Sequence, residues 1–271
     1  MIFILVLITS CVNTQKDIHY AIQVPLQSAE ADREFKKAKA LGEIGDQKQA
    51  NRIILSLAKK GYQPALKSWV PKSSCYRVLG TRNDEPDWSV AKLAMQGDKD
   101  SIYKYWECVS DSDGYDVDVK AGLFLLEYLA NKRDRTAIEY LISYHISYLS
   151  VSPMTSKIYE PETLRCGKSG NVRQPNIPEA ERWINIYQAE ADMKYKNKSP
   201  YLHIWAFNYS RLPVLIANYY ANSNDYLNAE KWYKKGLKSI KIVESWRVPV
   251  NQNIEISKFI QKKLNAIQCL L

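Results

Sequence analysis

The sequence has few of the residues that carry most enzyme and metal chemistry. Only three histidines occur among its 271 residues, and no two of its five cysteines have the close spacing of a zinc site or a redox C-x-x-C motif. No G-x-S-x-G, H-E-x-x-H or P-loop pattern is present. We therefore expect no catalytic, metal-binding or cofactor-binding residues, and we predict that the protein is not an enzyme.

The apolar run at the N-terminus is short, covering only residues 2–8. A run of this length cannot span a bilayer, which needs about 20 residues. It does fit the apolar core of a signal peptide, because the small pair Thr9-Ser10 follows it. The alternative is a buried N-terminal strand or helix with a chance cysteine at position 11.

Ile8-Thr9-Ser10-Cys11 resembles the lipobox of bacterial lipoproteins. The resemblance implies that residues 1–10 are a signal peptide, that Cys11 is lipidated, and that residues 11–28 form the lipidated N-terminus and a linker. Val12, where inner-membrane lipoproteins of enterobacteria carry aspartate, implies the outer membrane and a periplasm-facing protein.

The net charge of +9 makes the protein basic. Nucleic acid is the first partner that such a charge suggests, but an exported lipoprotein rarely meets any. Anionic lipid headgroups or an acidic protein surface are better candidates.

Four cysteines remain if Cys11 is lipidated, and an even number in an oxidising compartment permits two disulfides. These possible disulfide partners are Cys75, Cys108, Cys166 and Cys269. Three connectivities are open, and free buried thiols are an equal alternative.

An internal repeat is the most informative pattern. Five residues that favour helix N-caps each precede an apolar stripe at positions +4, +7, +8 and +11, which is one face of an α-helix. These caps are Asp46, Asp98, Asp134, Asn176 and Asp225. Small or apolar residues at −8 and −4 before four of the caps predict a preceding helix, so that each unit is a helical hairpin.

Segments 91–98 and 225–237 resemble tetratricopeptide and Sel-like repeats. The resemblance implies an all-α fold, a right-handed α-solenoid of helical hairpins over residues 29–271. Apolar residues of helical spacing from Ile256 to Ile267 predict a C-terminal capping helix.

Residues 150–178 interrupt the pattern with four prolines, which exclude a continuous helix. Insertions of this length are uncommon unless they are functional or disordered, and a surface loop held by a disulfide of Cys166 is an equal alternative to a partner-binding segment. The basic residues that we predict to contact a partner are Lys157, Arg165, Lys168 and Arg173 in the insertion, and Lys194 and Lys196 at the end of the next helix. The lysines of residues 231–241 predict a solvated helix face.

Lipoproteins with Sel-like repeats resemble immunity proteins encoded beside phospholipase effectors of type VI secretion. This resemblance implies binding and steric neutralisation of an acidic toxic lipase. The alternative is an envelope scaffold that recruits secretion or cell-wall machinery through its repeats. An enzyme acting on envelope polymers is the least favoured of the three.

Overall fold

A computed structural model describes residues 21–69, 75–77, 84–86, 88–110, 116–146, 175–248 and 253–270, without the side chains of 75–77, 84–86 and 116–118. This part of the chain is almost entirely helical, as the repeat pattern predicts. The helices are α1 (Ala29–Glu43), α2 (Gln47–Lys59), α3 (Gln63–Trp69), α4 (Trp88–Met95), α5 (Lys99–Ser110), α6 (Asp116–Asn131), α7 (Arg135–His145), α8 (Ile177–Lys196), α9 (Leu202–Tyr209), α10 (Arg211–Asn222), α11 (Tyr226–Ser245) and α12 (Asn253–Gln268).

Two short strands lie between α3 and α4. Strands β1 (Cys75–Arg77) and β2 (Asp84–Pro86) pair antiparallel, with Cys75 opposite Pro86. Both strands pack against α5. The sequence analysis predicts only a break in the helices here, because three-residue strands are too short to show an alternating pattern.

All five predicted N-caps are confirmed, because in each case the side-chain oxygen accepts a hydrogen bond from the backbone N–H three residues later. The donors are Gln49 for Asp46, Ser101 for Asp98, Ala137 for Asp134, Glu179 for Asn176 and Asn228 for Asp225. The end of the predicted insertion is corrected by this geometry. Pro178 lies in the first turn of α8, where its missing N–H costs nothing.

Four of these caps follow a residue with a left-handed backbone. Gly45, Gly97, Arg133 and Asn224 have φ between 59° and 93° and stand directly before an aspartate cap. The chain therefore makes the same tight turn at four places. Each of these turns joins the two helices of a predicted hairpin, namely α1 to α2, α4 to α5, α6 to α7 and α10 to α11.

Cap aspartates also connect successive hairpins. The Nζ of Lys67 lies 2.6 Å from a carboxylate oxygen of Asp98, and the Nζ of Lys99 lies 2.6 Å from one of Asp134. The hydroxyl of Tyr103 donates a further hydrogen bond to Asp134. One carboxylate thus begins its own helix and holds the preceding hairpin in place.

The helix faces predicted to be apolar form the core. Most of it is one cluster that runs from α4 to α12, with Trp183 and Tyr187 fully buried near its middle. A smaller cluster joins α1, α2 and α3 to Leu93 of α4. Helices pack mainly on their neighbours along the chain.

Residues 21–28 lie extended across the junction of the two clusters, although the sequence analysis assigns them to a linker. The N–H of Gln23 donates to the carbonyl of Met95 (2.7 Å), and the N–H of Leu26 donates to that of Gly61 (3.3 Å). Leu26 packs against the smaller cluster. We call residues 21–28 the docked segment.

Candidate interaction surfaces

The structure describes two of the six basic residues predicted to contact a partner. Lys194 and Lys196 lie in the last turn of α8. Lys157, Arg165, Lys168 and Arg173 lie outside the described residues. The candidate surface therefore includes the C-terminal end of α8 and the residues around it.

Three large apolar or aromatic side chains are exposed around the turn that joins α8 to α9. Met193 is 45% exposed, Tyr195 41% and Tyr201 65%. Soluble proteins tolerate single exposed apolar residues. Three within nine residues of chain mark a candidate binding surface.

Aromatic stacking holds Tyr195 in place. Its ring lies 5.3 Å from that of Trp246 and nearly parallel to it, and Trp246 meets the ring of Tyr209 edge-on at 4.9 Å. The Tyr209 hydroxyl lies 3.1 Å from an oxygen of Asp192, to which it donates a hydrogen bond. This contact and burial raise the pKa of Tyr209, so the hydroxyl stays protonated. The ends of α8, α9 and α11 are thereby fixed together.

Cations surround these aromatic groups. Lys194 lies 3.4 Å from Glu190, so part of its charge is balanced. Within the described chain, Lys196, Lys198 and Arg247 form no ion pair. We define the α8 end surface as Met193, Tyr195, Lys196, Lys198, Tyr201 and Arg247.

A buried polar cluster lies on α7, α8, α9 and α10. The Glu139 side chain is only 2% exposed, and its carboxylate accepts hydrogen bonds from Arg135 and Asn208, each at 2.7 Å. Burial raises the pKa of Glu139 despite the attraction of Arg135. Arg211 is also buried, and burial lowers its pKa while Glu139 opposes that change. The cluster fixes helices to one another, with the Glu139 carboxylate buried and the Arg135 side chain 25% exposed.

The sequence analysis missed the aromatic part of the α8 end surface. Trp246 lies 51 positions from Tyr195, and no local pattern connects residues so far apart. The only available signal was compositional, namely 19 tyrosines and 7 tryptophans in a basic chain. Lys194 and Lys196 are predicted contacts because such cations can engage an acidic protein or lipid surface, and the ordinary alternative is that cations at a helix C-terminus interact favourably with its dipole.

Two cysteines have a defined state. Cys108 is buried on α5 and disulfide-bonded. Cys269 is free and exposed beyond the end of α12, where no other described cysteine lies close enough to bridge it. Because Cys269 is free, the four cysteines do not all pair into two disulfides. The side chains of Cys75 and Cys166, and the whole of Cys11, lie outside the described residues.

Among the described residues, no three histidine, cysteine or acidic side chains are grouped so that they could hold a metal ion. None of the described helices combines the length and apolar character needed to cross a membrane. No protein-family model, curated protein or solved structure matches this chain.

Proposed function

We propose that the protein is a lipid-anchored immunity protein that binds a toxic envelope enzyme of the phospholipase class and neutralises it by steric blocking. The α8 end surface is the observation that supports this proposal most directly. Tyrosine, tryptophan, methionine and arginine are the residues enriched at the centres of protein interfaces. Three of these types lie on this surface, and Tyr195 is already stacked on the buried Trp246 and so pre-organised.

Charge supports the same proposal. The cations Lys196, Lys198 and Arg247, which form no ion pair with any residue that the structure describes, would attract an acidic partner and speed its association. The blocking itself needs no chemistry from this chain, since a bound body at an enzyme's entrance excludes substrate. We further propose that the helical hairpins continue into one right-handed solenoid and that Cys11 carries the lipid at the outer membrane.

An envelope scaffold is the second candidate. Helices that pack mainly on their chain neighbours leave long outer faces for several partners at once. A scaffold would retain its partners without inhibiting them, which separates the two functions experimentally.

The test is survival of a sensitive cell that makes the product of the neighbouring gene in its periplasm. We expect growth only when this protein is also made. Equal harm with and without the protein, or a harmless neighbour, would remove the immunity proposal and favour the scaffold.

Variants locate the binding surface in the same assay. Tyr201→Ala and Lys196→Glu change exposed side chains that make no described contact, so they should weaken protection without unfolding the protein. Ile254→Ala is the matched control for Tyr201, because both side chains are 65% exposed. Lys48→Glu on α2 is the control for charge.

The insertion is tested separately. Deleting residues 155–173 removes all four of the contact residues predicted in the insertion. We expect weaker binding with unchanged helix content, since the segment lies outside the repeat stripes. Full protection after the deletion would confine the interface to the α8 end surface.

A further inference from the structure

A row of lysines runs along the exposed face of α11. Lys231, Lys234, Lys238 and Lys241 follow one another at intervals of three, four and three residues, and all four are exposed. Such spacing places side chains on one face of a helix. The row spans about 15 Å at 1.5 Å per residue. We call these four residues the lysine row.

Little negative charge balances the lysine row. Lys234 lies 2.7 Å from Glu230. In the described part of the chain, the other three form no ion pair. Lys235 does not belong to the row, because its Nζ lies over the Trp232 ring and within 3.0 Å of Asn185.

The neighbouring helix adds to this charge. α12 packs on α11 and carries Lys258 and Lys262, one turn apart and exposed. Packed helix axes lie about 8–10 Å apart, which is about one Debye length at 0.1 M salt. Together α11 and α12 hold eight lysines against three glutamates. Their charges therefore act on a common partner.

We propose that the lysine row binds the anionic headgroups of a phospholipid membrane and lays α11 along the membrane surface. Lysine is depleted at protein interfaces, where aromatic residues are enriched. The row contains no aromatic residue, and among the large apolar side chains of α11 only Leu227 is exposed, at 69%. The α8 end surface combines its cations with the exposed side chains of Met193, Tyr195 and Tyr201, which is why it fits a protein better than the row does.

Lipid headgroups need no fixed geometry from their partner. Flexible, well-hydrated ammonium groups attract a diffuse anionic plane without being held in one rotamer. Each lysine near such a plane strengthens binding about fivefold. This inference depends neither on the effector nor on acylation of Cys11.

The test is binding of the full chain to vesicles, with Cys11→Ser in every sample so that no acyl chain contributes. Vesicles of phosphatidylcholine alone are compared with vesicles containing about one third phosphatidylglycerol. The test variant is Lys231→Gln, Lys238→Gln and Lys241→Gln together. The matched control is Lys36→Gln, Lys37→Gln and Lys48→Gln, which removes the same charge from exposed positions of α1 and α2.

We expect the parent and the control to bind anionic vesicles better than neutral ones, and to lose that preference in 1 M salt, where the Debye length is about 3 Å. The lysine-row variant should bind anionic vesicles about a hundredfold more weakly than the parent. Equal circular dichroism spectra and melting temperatures establish that all three proteins are folded.

Three results would overturn the proposal. Equal losses in both variants would mean that only net charge matters, and no loss would mean that the row does not contact lipid. Unchanged vesicle binding with weaker binding of the effector would make the row a protein-binding surface instead.

Discussion

Asn208 on α9 donates a hydrogen bond of 2.7 Å to the buried carboxylate of Glu139 on α7, across 69 positions of sequence. The same oxygen accepts from Arg135, one turn before it on α7. The pair joins the helices on either side of α8. The Glu139 carboxylate thus accepts hydrogen bonds from α7 and from α9, and replacing Glu139 removes a contact of both helices.

Glu139→Ala should lower the free energy of unfolding by about 3 to 5 kcal/mol, because it removes the buried carboxylate that attracts the guanidinium groups of Arg135 and Arg211. Urea denaturation at neutral pH measures the change. Glu230→Ala breaks an exposed pair with Lys234 and should cost no more than about 1 kcal/mol. Similar small losses in the two variants would show that the Glu139 cluster contributes little.

Asp134 should make stability depend on pH in the acid range. Burial raises its pKa, but hydrogen bonds from Lys99, Tyr103 and Ala137 lower it more, and the result lies below the ordinary value of 3.8. Since the folded-state pKa is depressed, the stabilisation is complete above the unfolded-state value and is lost as the pH falls through the folded-state value.

Asp134→Asn keeps an oxygen for the cap but removes the charge. Its unfolding free energy should therefore be lower than wild type at neutral pH and converge with it in strong acid. Asp134→Ala also loses the cap, which costs about 1 kcal/mol more. A constant difference between wild type and Asp134→Asn from neutral pH to strong acid would contradict the assigned role.

Trp232→Ala tests the repeat face of α11. The side chain is 4% exposed, so its removal should cost about 3 to 5 kcal/mol. Trp88 at the start of α4 is 39% exposed. Trp88→Ala should therefore behave as a surface substitution and lower the free energy of unfolding by about 0.5 kcal/mol. Thermal unfolding followed by circular dichroism compares them, and a loss at Trp232 no larger than at Trp88 would refute the face assignment.

Cys11→Ser tests the anchor. Labelled palmitate should enter the wild-type protein alone, and the variant should leave the membrane fraction when washed with high salt, because headgroup attraction without acyl chains is weak. Incorporation that survives the substitution would exclude Cys11 as the lipidated residue.

The starts of the helices could be predicted because N-caps depend on residues close together in the sequence. Contacts between residues far apart in the sequence could not be predicted. Asp134 caps α7 because its side-chain oxygen accepts a hydrogen bond from the backbone N–H three residues later. Such a contact involves residues close in sequence, so the sequence predicts it. The ion pair of Arg135 with Glu139 has the readable i, i+4 spacing. Its burial depends on Asn208, which only the packing of α9 brings near.

Length explains which helices fall outside the repeat register. α3 and α9 have seven and eight residues, too few for a helical period to repeat convincingly, although the sequence does indicate an aromatic helix around His203 and Trp205. α9 is also apolar on most sides, since it lies among α8, α10 and α11. A helix buried on several faces has no polar stripe from which to recognise it.

The docked segment limits how far the helical array can stand from an anchor. Because Gln23 is held at Met95, residues 12–22 lie between Cys11 and that contact. Even fully extended, a chain of that length reaches about 40 Å. A lipid on Cys11 would therefore confine the end of α4 and everything folded onto it to a layer beside the membrane. Within that layer, a secreted enzyme that attacks phospholipids would meet this protein at the surface of its own substrate.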